Sequence, residues 1–193
     1  MSGAGSDIGS AMDADSNLHA DKGLAAMLHA TGPADGLSRE LETFGQFVGS
    51  WHIDWYGSTS AQQPDAIGEL HFGWVLGGRA IQDVWIVPPR GDLRRGDAAA
   101  NVNSYGTTLR VYDPRIDAWQ IQWTDPVTQN FLQMIGRAQG DDIVQLGSRP
   151  DGQLLRWRFS EIASDSFRWT GEISADRGES WRLQADFSAR RVA

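Results

Sequence analysis

The chain contains no cysteine, and that one absence removes disulfides, thiolate nucleophiles and thiolate metal sites together. No apolar run is long enough to cross a bilayer as a helix. The first residues carry neither the basic start nor the apolar stretch of a secretion signal, so a soluble cytoplasmic protein is expected. Basic residues are the minority: 17 Lys and Arg face 25 Asp and Glu, a formal charge of −8. A diffuse acidic surface argues against nucleic acid or an anionic membrane as the main partner. The one basic spot, Arg90, Arg94 and Arg95, reads as a solvated loop. Histidine is scarce as well. His19 and His29 fall in the N-terminal arm, while His52 and His71 take the strand parity opposite Trp51 and Phe72. No two stand at helical ligand spacing beside a carboxylate cluster, so no metal, haem or other cofactor is expected. Ser-His-Asp order, a phosphate-cradling loop and a nucleotide fingerprint are all missing. Gly77-Gly78 lies between two strands and reads as a hairpin.

What the chain has in quantity is tryptophan, nine in 193 residues. Most stand at period-two spacing with other apolar residues, as in Trp51-His52-Ile53-Asp54-Trp55 and Trp119-Gln120-Ile121-Gln122-Trp123. That period belongs to half-buried strands with one aromatic face. Ten strands are expected near 50–56, 68–76, 79–87, 104–112, 117–124, 129–136, 141–147, 153–162, 166–174 and 180–191. Turn chemistry separates them at Gly77-Gly78, Asp113-Pro114, Asp125-Pro126, Gly140-Asp141, Asp151-Gly152 and Arg177-Gly178. No helix-length segment interrupts the series, so neighbours pair antiparallel in an all-β, ten-stranded up-and-down barrel.

Residues 1–37 read as a flexible arm with a short helix over Leu18 to Ala30, carrying Leu24, Met27 and Leu28 on one side. Residues 38–193 form the barrel domain. Its opening segment, Leu41, Phe44, Phe47 and Val48, has helical spacing with Ser38 as N-cap, and leads directly into Trp51. The connections after the second, fourth, sixth and eighth strands are short, whereas those after the first and third are long. A meander places these two sets at opposite ends, giving a floor under the helix and a mouth under the long loops. The longest connection, Pro88 to Asn103, buries little and is expected to act as a lid.

A short helix before Gly49-x-Trp51, with an arginine at the end of the last strand, resembles the signature of the calycin superfamily, the lipocalins and their relatives. The resemblance implies a structural floor in which Arg191, on the parity of Trp181, Leu183, Ala185 and Phe187, packs across Trp51 and bonds the helix end. Phe47-Val-Gly-Ser-Trp51, Leu76-Gly-Gly-Arg-Ala80, Tyr105-Gly-Thr, Val111-Tyr-Asp-Pro114, Phe167-Arg-Trp169 and Ser174-Ala-Asp-Arg-Gly-Glu-Ser-Trp181 resemble a family of bacterial lipocalin-like barrels, a domain of unknown function. The last of these motifs usually reads Ser-x-Asp-Gly-Gly-x-Thr-Trp there, so Arg177 and Ser180 depart from the pattern.

The mouth-facing aromatics and the polar residues among them are the candidate site. Trp55, Trp74, Trp85, Tyr105, Trp123, Phe131, Gln133 and Trp157 are the candidate ligand contacts. Asp83, between Ile81 and Trp85, and Glu161, after Trp157 and Phe159, are the candidate proton-moving carboxylates. The strands holding Asp83 and Gln133 are apolar on both parities, which leaves the facing of those two residues open. Three functions compete. The first is a carrier or sensor of a small hydrophobic or aromatic molecule. The second is a cofactor-free enzyme (a lyase, isomerase, hydratase or cyclase) acting in the same lumen. The third is a partner-binding barrel; a homodimer is left open. An inward carboxylate with a donor in reach favours the enzyme, an all-apolar cavity the carrier, and a filled lumen the partner module.

Overall fold

The computed structural model describes residues 23–58, 63–90 and 103–192. The expected lid, Pro88 to Asn103, falls mostly outside them, as do Arg94 and Arg95 and the arm up to residue 22. Among the described residues, strand β1 (His29–Ala30) and helix α1 (Ser38–Gly45) precede ten longer strands. These are β2 (Gly49–Trp55), β3 (Ala66–Val75), β4 (Ala80–Val87), β5 (Ser104–Asp113) and β6 (Ala118–Asp125). They continue with β7 (Asn130–Gln139), β8 (Asp142–Ser148), β9 (Leu154–Ser160), β10 (Ser166–Ser174) and β11 (Arg182–Arg191). Each of the ten pairs antiparallel with its chain neighbours, and the β11–β2 ladder joins last to first, closing the barrel. No helix is long and apolar enough to cross a membrane among the described residues.

The alternation that marks the strands also sorts their side chains. On β6, Trp119, Ile121, Trp123 and Asp125 point inward, and Gln120 and Gln122 are exposed. On β5, Gly106, Thr108 and Arg110 are buried while Tyr105 and Val111 face outward. The parity rule holds there although the inward set includes a charge.

The strand β1 was not expected. The chain is helical over residues 23–28, but His29 and Ala30 then pair with Val75 and Trp74, the end of β3 that β2 leaves uncovered. Leu24, Met27 and Leu28 are exposed and bury no common side. The segment after β1 docks on the β3–β4 turn, where Ala34 N–H donates to the Gly78 carbonyl at 2.9 Å. A Cβ on Gly78 would meet the Gly32 carbonyl oxygen at 2.2 Å, so this turn requires glycine twice over, for contact and for its φ of 75°. Helix α1 begins at Ser38 itself; Leu37 occupies the cap position, with no side-chain hydrogen bond there.

The aromatic core is concentrated at one end. Phe44 and Phe47, from α1 and the turn after it, enter the barrel and meet Trp51, Phe72, Trp119, Phe159 and Phe167 at centroid distances of 4.8–6.4 Å. Trp51 is fully buried and donates its indole N–H to the Phe47 carbonyl at 2.7 Å. The Arg191 guanidinium lies 4.1 Å over the same indole and donates to the carbonyls of Gln46, Val48 and Ser164 at 2.8 Å each. One side chain thus satisfies carbonyls left open at the helix end. Gly49 sits at φ 131°, and a Cβ there would lie 2.7 Å from the Arg191 guanidinium. The glycine of Gly49-x-Trp51 is therefore what lets the arginine cross.

Candidate functional site

Above this plug the lumen is open. A cavity of about 510 Å³ lies toward the end where β2–β3, β4–β5, β6–β7, β8–β9 and β10–β11 connect. Its volume is that of a small-molecule site. Six rings form a continuous belt along its wall. Trp55 meets Trp85 at 5.5 Å, Trp85 meets Phe187 at 4.8 Å, and Phe187 stacks on Trp169 at 5.1 Å. Trp169 then meets Trp157 at 5.3 Å, and Trp157 meets Trp123 at 6.0 Å. All six line the cavity.

Glycines beside two of the rings, Gly106 on the strand next to Trp123 and Gly171 on the same strand as Trp169, explain why the rings flank the space instead of filling it. A Cβ on Gly106 would sit 2.4 Å from the Trp123 ring, and one on Gly171 would sit 2.8 Å from the Trp169 ring. With hydrogen in place of a side chain, each indole lies back against the wall. Gly106 is paired two strand positions from Asp83, through Trp85.

Asp83 faces inward and is buried at the lower part of the cavity. One carboxylate oxygen accepts from the Thr108 backbone N–H at 3.2 Å, and the other accepts from Nη1 of Arg110 at 2.5 Å. Arg110, only 2% exposed, also lines the cavity. Its guanidinium carbon lies 4.9 Å from the Phe44 ring centre, 5.4 Å from that of Phe72 and 5.8 Å from that of Phe159. These ring faces supply part of what water would give the cation. Nε of Arg110 is buried and meets no acceptor among the described residues. Gln145 likewise faces inward, fully buried, with neither amide atom bonded there.

The rim is polar. Asp125 accepts from the Ser104 hydroxyl at 2.5 Å and from the backbone N–H groups of Val127 and Thr128 at 2.8 and 3.1 Å. Burial pushes its carboxyl up, but these hydrogen bonds together outweigh burial and hold it below the usual range. Across the mouth, Arg149 donates to the Gln184 side-chain oxygen at 3.3 Å. At the β10–β11 turn, Asp176 accepts from the hydroxyls of Ser180 and Ser174, which keep it well below the usual carboxylate range. Ser180 thus supplies the hydroxyl that threonine has in the resembling motif. Arg177 has φ 61°, a left-handed backbone at the position where that motif has glycine.

Of the residues singled out from sequence, the cavity gathers Asp83, Trp55, Trp85, Trp123 and Trp157. The other five lie elsewhere. Trp74 has the inward parity but sits at the closed end, its ring against Gly45 of α1, where a Cβ would lie 2.6 Å away. Tyr105 and Phe131 are 45% and 58% exposed on the outer face, because their strands direct Gly106 and Leu132 inward. Gln133 is also outward and pairs across the ladder with Gln122. Glu161 does not continue the inward set of β9: its φ of 52° ends the strand and turns the side chain out. It lies at the closed end, 72% exposed, with Arg168 at 3.6 Å.

Sequence reasoning passed over Arg110, Thr108 and Phe187 as site residues. Arg110 was findable: it shares parity with Gly106, Thr108 and Tyr112, and an inward Asp83 demands a buried cation on a neighbouring strand. Among the described residues, no three His, Asp or Glu side chains cluster as metal ligands. The chain matches no protein-family model and no curated protein.

Proposed function

We propose that the barrel binds a small hydrophobic or aromatic molecule in its lumen, as a carrier or sensor. The observation that carries this reading is the belt of six aromatic rings around an open cavity, with α1 plugging only the opposite end. Flat apolar guests gain by displacing water from such walls and by ring contacts. The resemblance to lipocalin-like barrels supports it too, since the helix, Gly49-x-Trp51 and Arg191 are arranged as that likeness implies. Lack of cysteine suits the cytoplasm. Titration with aromatic acids, phenols and polycyclic ketones tests the reading. Saturable quenching of tryptophan fluorescence is expected, weakened in Trp85→Ala. Absence of saturable quenching across the panel would end it.

A second reading, a cofactor-free enzyme acting on a similar substrate, has one observation in its favour: Asp83 lines the cavity with Arg110 beside it. A carboxylate and a cation side by side can take a proton and steady an oxyanion. Turnover of a bound panel member, lost in Asp83→Asn with binding retained, would favour the enzyme. Recovery of every bound compound unchanged would favour the carrier.

A further inference from the structure

The polar groups of the lumen restrict the chemistry of its guest. Among the described residues the cavity is lined by two carboxylates, Asp83 and Asp125, and two cations, Arg110 and Arg149, which balance in formal charge. Asp125 and Arg149 stand at the rim, where Asp125 is bonded to Ser104 and its own turn. Deep in the lumen only Asp83 and Arg110 remain, and each neutralises the other. Yet the pair is not balanced in hydrogen bonds. A guanidinium has five N–H donors, and Nη1 to Asp83 is the one side-chain hydrogen bond that Arg110 donates among the described residues. Nε has no accessible surface, so the donors left for a guest are those of the Nη groups, which belong to a side chain that lines the cavity. A buried donor without an acceptor is costly.

We infer that the guest is an uncharged aromatic compound with a hydrogen-bond acceptor, such as a ketone or lactone carbonyl, which docks on the guanidinium of Arg110. The inference rests on the lumen-binding reading. A carbonyl supplies the missing acceptor and leaves the buried pair neutral. A carboxylate reaches the same donors but puts a second negative charge beside Asp83, in a site with little water to screen it. The acidity of the whole chain, −8, acts in the same direction. A bare hydrocarbon fills the belt and leaves Arg110 as it was. Asp83 therefore acts as the selectivity element: it cancels the charge of the arginine while taking up only one of its donors.

Three probes of one ring size separate these cases, acetylnaphthalene, ethylnaphthalene and naphthoate, each titrated by calorimetry at neutral pH. On the wild-type protein, acetylnaphthalene is expected to bind about fivefold more tightly than ethylnaphthalene and at least tenfold more tightly than naphthoate. In Asp83→Asn the cation is left uncancelled, and naphthoate is expected to overtake the ketone. Naphthoate equal to the ketone on the wild type would overturn the inference, as would ketone equal to hydrocarbon, while lumen binding itself would stand. Failure of all three to bind would overturn both. Should Asp83→Asn not fold, the wild-type series alone decides.

Discussion

The two ends of the barrel are both aromatic, and they use aromatic residues in opposite ways. At the closed end Phe44, Phe47, Phe72, Phe159 and Phe167 pack ring on ring across the axis, driven in from below by α1. Toward the mouth the rings of Trp55, Trp85, Trp157 and Trp123 touch only along the wall, and the axis stays open. Aromatic content does not decide whether a barrel is filled. Two local features do: an element that pushes side chains onto the axis, and glycines that let large rings lie back.

The largest effect that sharpens this contrast is on stability. Trp51→Ala removes a fully buried ring and the surface under Arg191, so it is expected to cost about 3–5 kcal/mol in denaturant unfolding. Trp123→Ala trims a ring that already borders open space, and about 1–2 kcal/mol is expected, with loss of aromatic-probe binding. Equal stability losses at the two sites would break the comparison.

Next is the glycine backing. Gly106→Ala places a methyl against the Trp123 ring and within 2.9 Å of the Thr124 carbonyl oxygen. Tilting the indole into the lumen is expected to cost about 1–3 kcal/mol and to weaken binding of the larger polycyclic probes first. A variant that binds large and small probes as the wild type does would show that the glycine does not set the open space.

Smaller effects belong to the mouth turns and the outer wall. Arg177→Gly relieves a left-handed non-glycine residue and is expected to stabilise by about 0.5–1 kcal/mol, seen as a raised melting temperature. A lowered melting temperature would mean that Arg177 makes contacts worth more than its backbone strain. The Arg90 guanidinium beside Glu69 lowers that carboxyl from an ordinary 4.5 to about 2. A depressed carboxylate stabilises the fold fully above its unfolded value and loses that contribution as pH falls through the folded one. The stability gap between wild type and Arg90→Ala should therefore be constant above about pH 5 and close as pH falls toward 2. It should be small throughout, because Arg90 is largely exposed. A gap that widens in acid would refute the assignment.

How much of this could be read from the chain follows from how local each signal is. Strand positions and most turns rest on alternation and turn chemistry, the partnership of Trp51 with Arg191 is what the calycin resemblance implies, and the structure has them at the expected residues. The mouth tryptophans Trp55, Trp85, Trp123 and Trp157 follow from the same parity. Phe131 does not, because a strand that is apolar on both faces gives alternation nothing to separate. Tyr105 does not, because on β5 the more apolar parity faces out while Gly106, Thr108 and Arg110 face in. Glu161 depends on one dihedral angle at a strand end, and Trp74 on where α1 lies. Arg110 is the instructive case. Taken alone it reads as a surface residue; its parity with Gly106 and Thr108, together with an inward Asp83 that the register of β4 on β5 sets opposite Thr108, makes it interior.

The β11–β2 ladder has a practical consequence. It brings Val192 to Ser50, where the backbone N–H of the former donates to the carbonyl of the latter at 2.8 Å, and β1 enters beside the same floor. β1 and the end of β11 thus both lie on the side away from the opening. Attached through the end of β11 to a bead, an electrode or a fluorescent protein, the barrel would present its opening to solution, as the receptor layer of a detector requires.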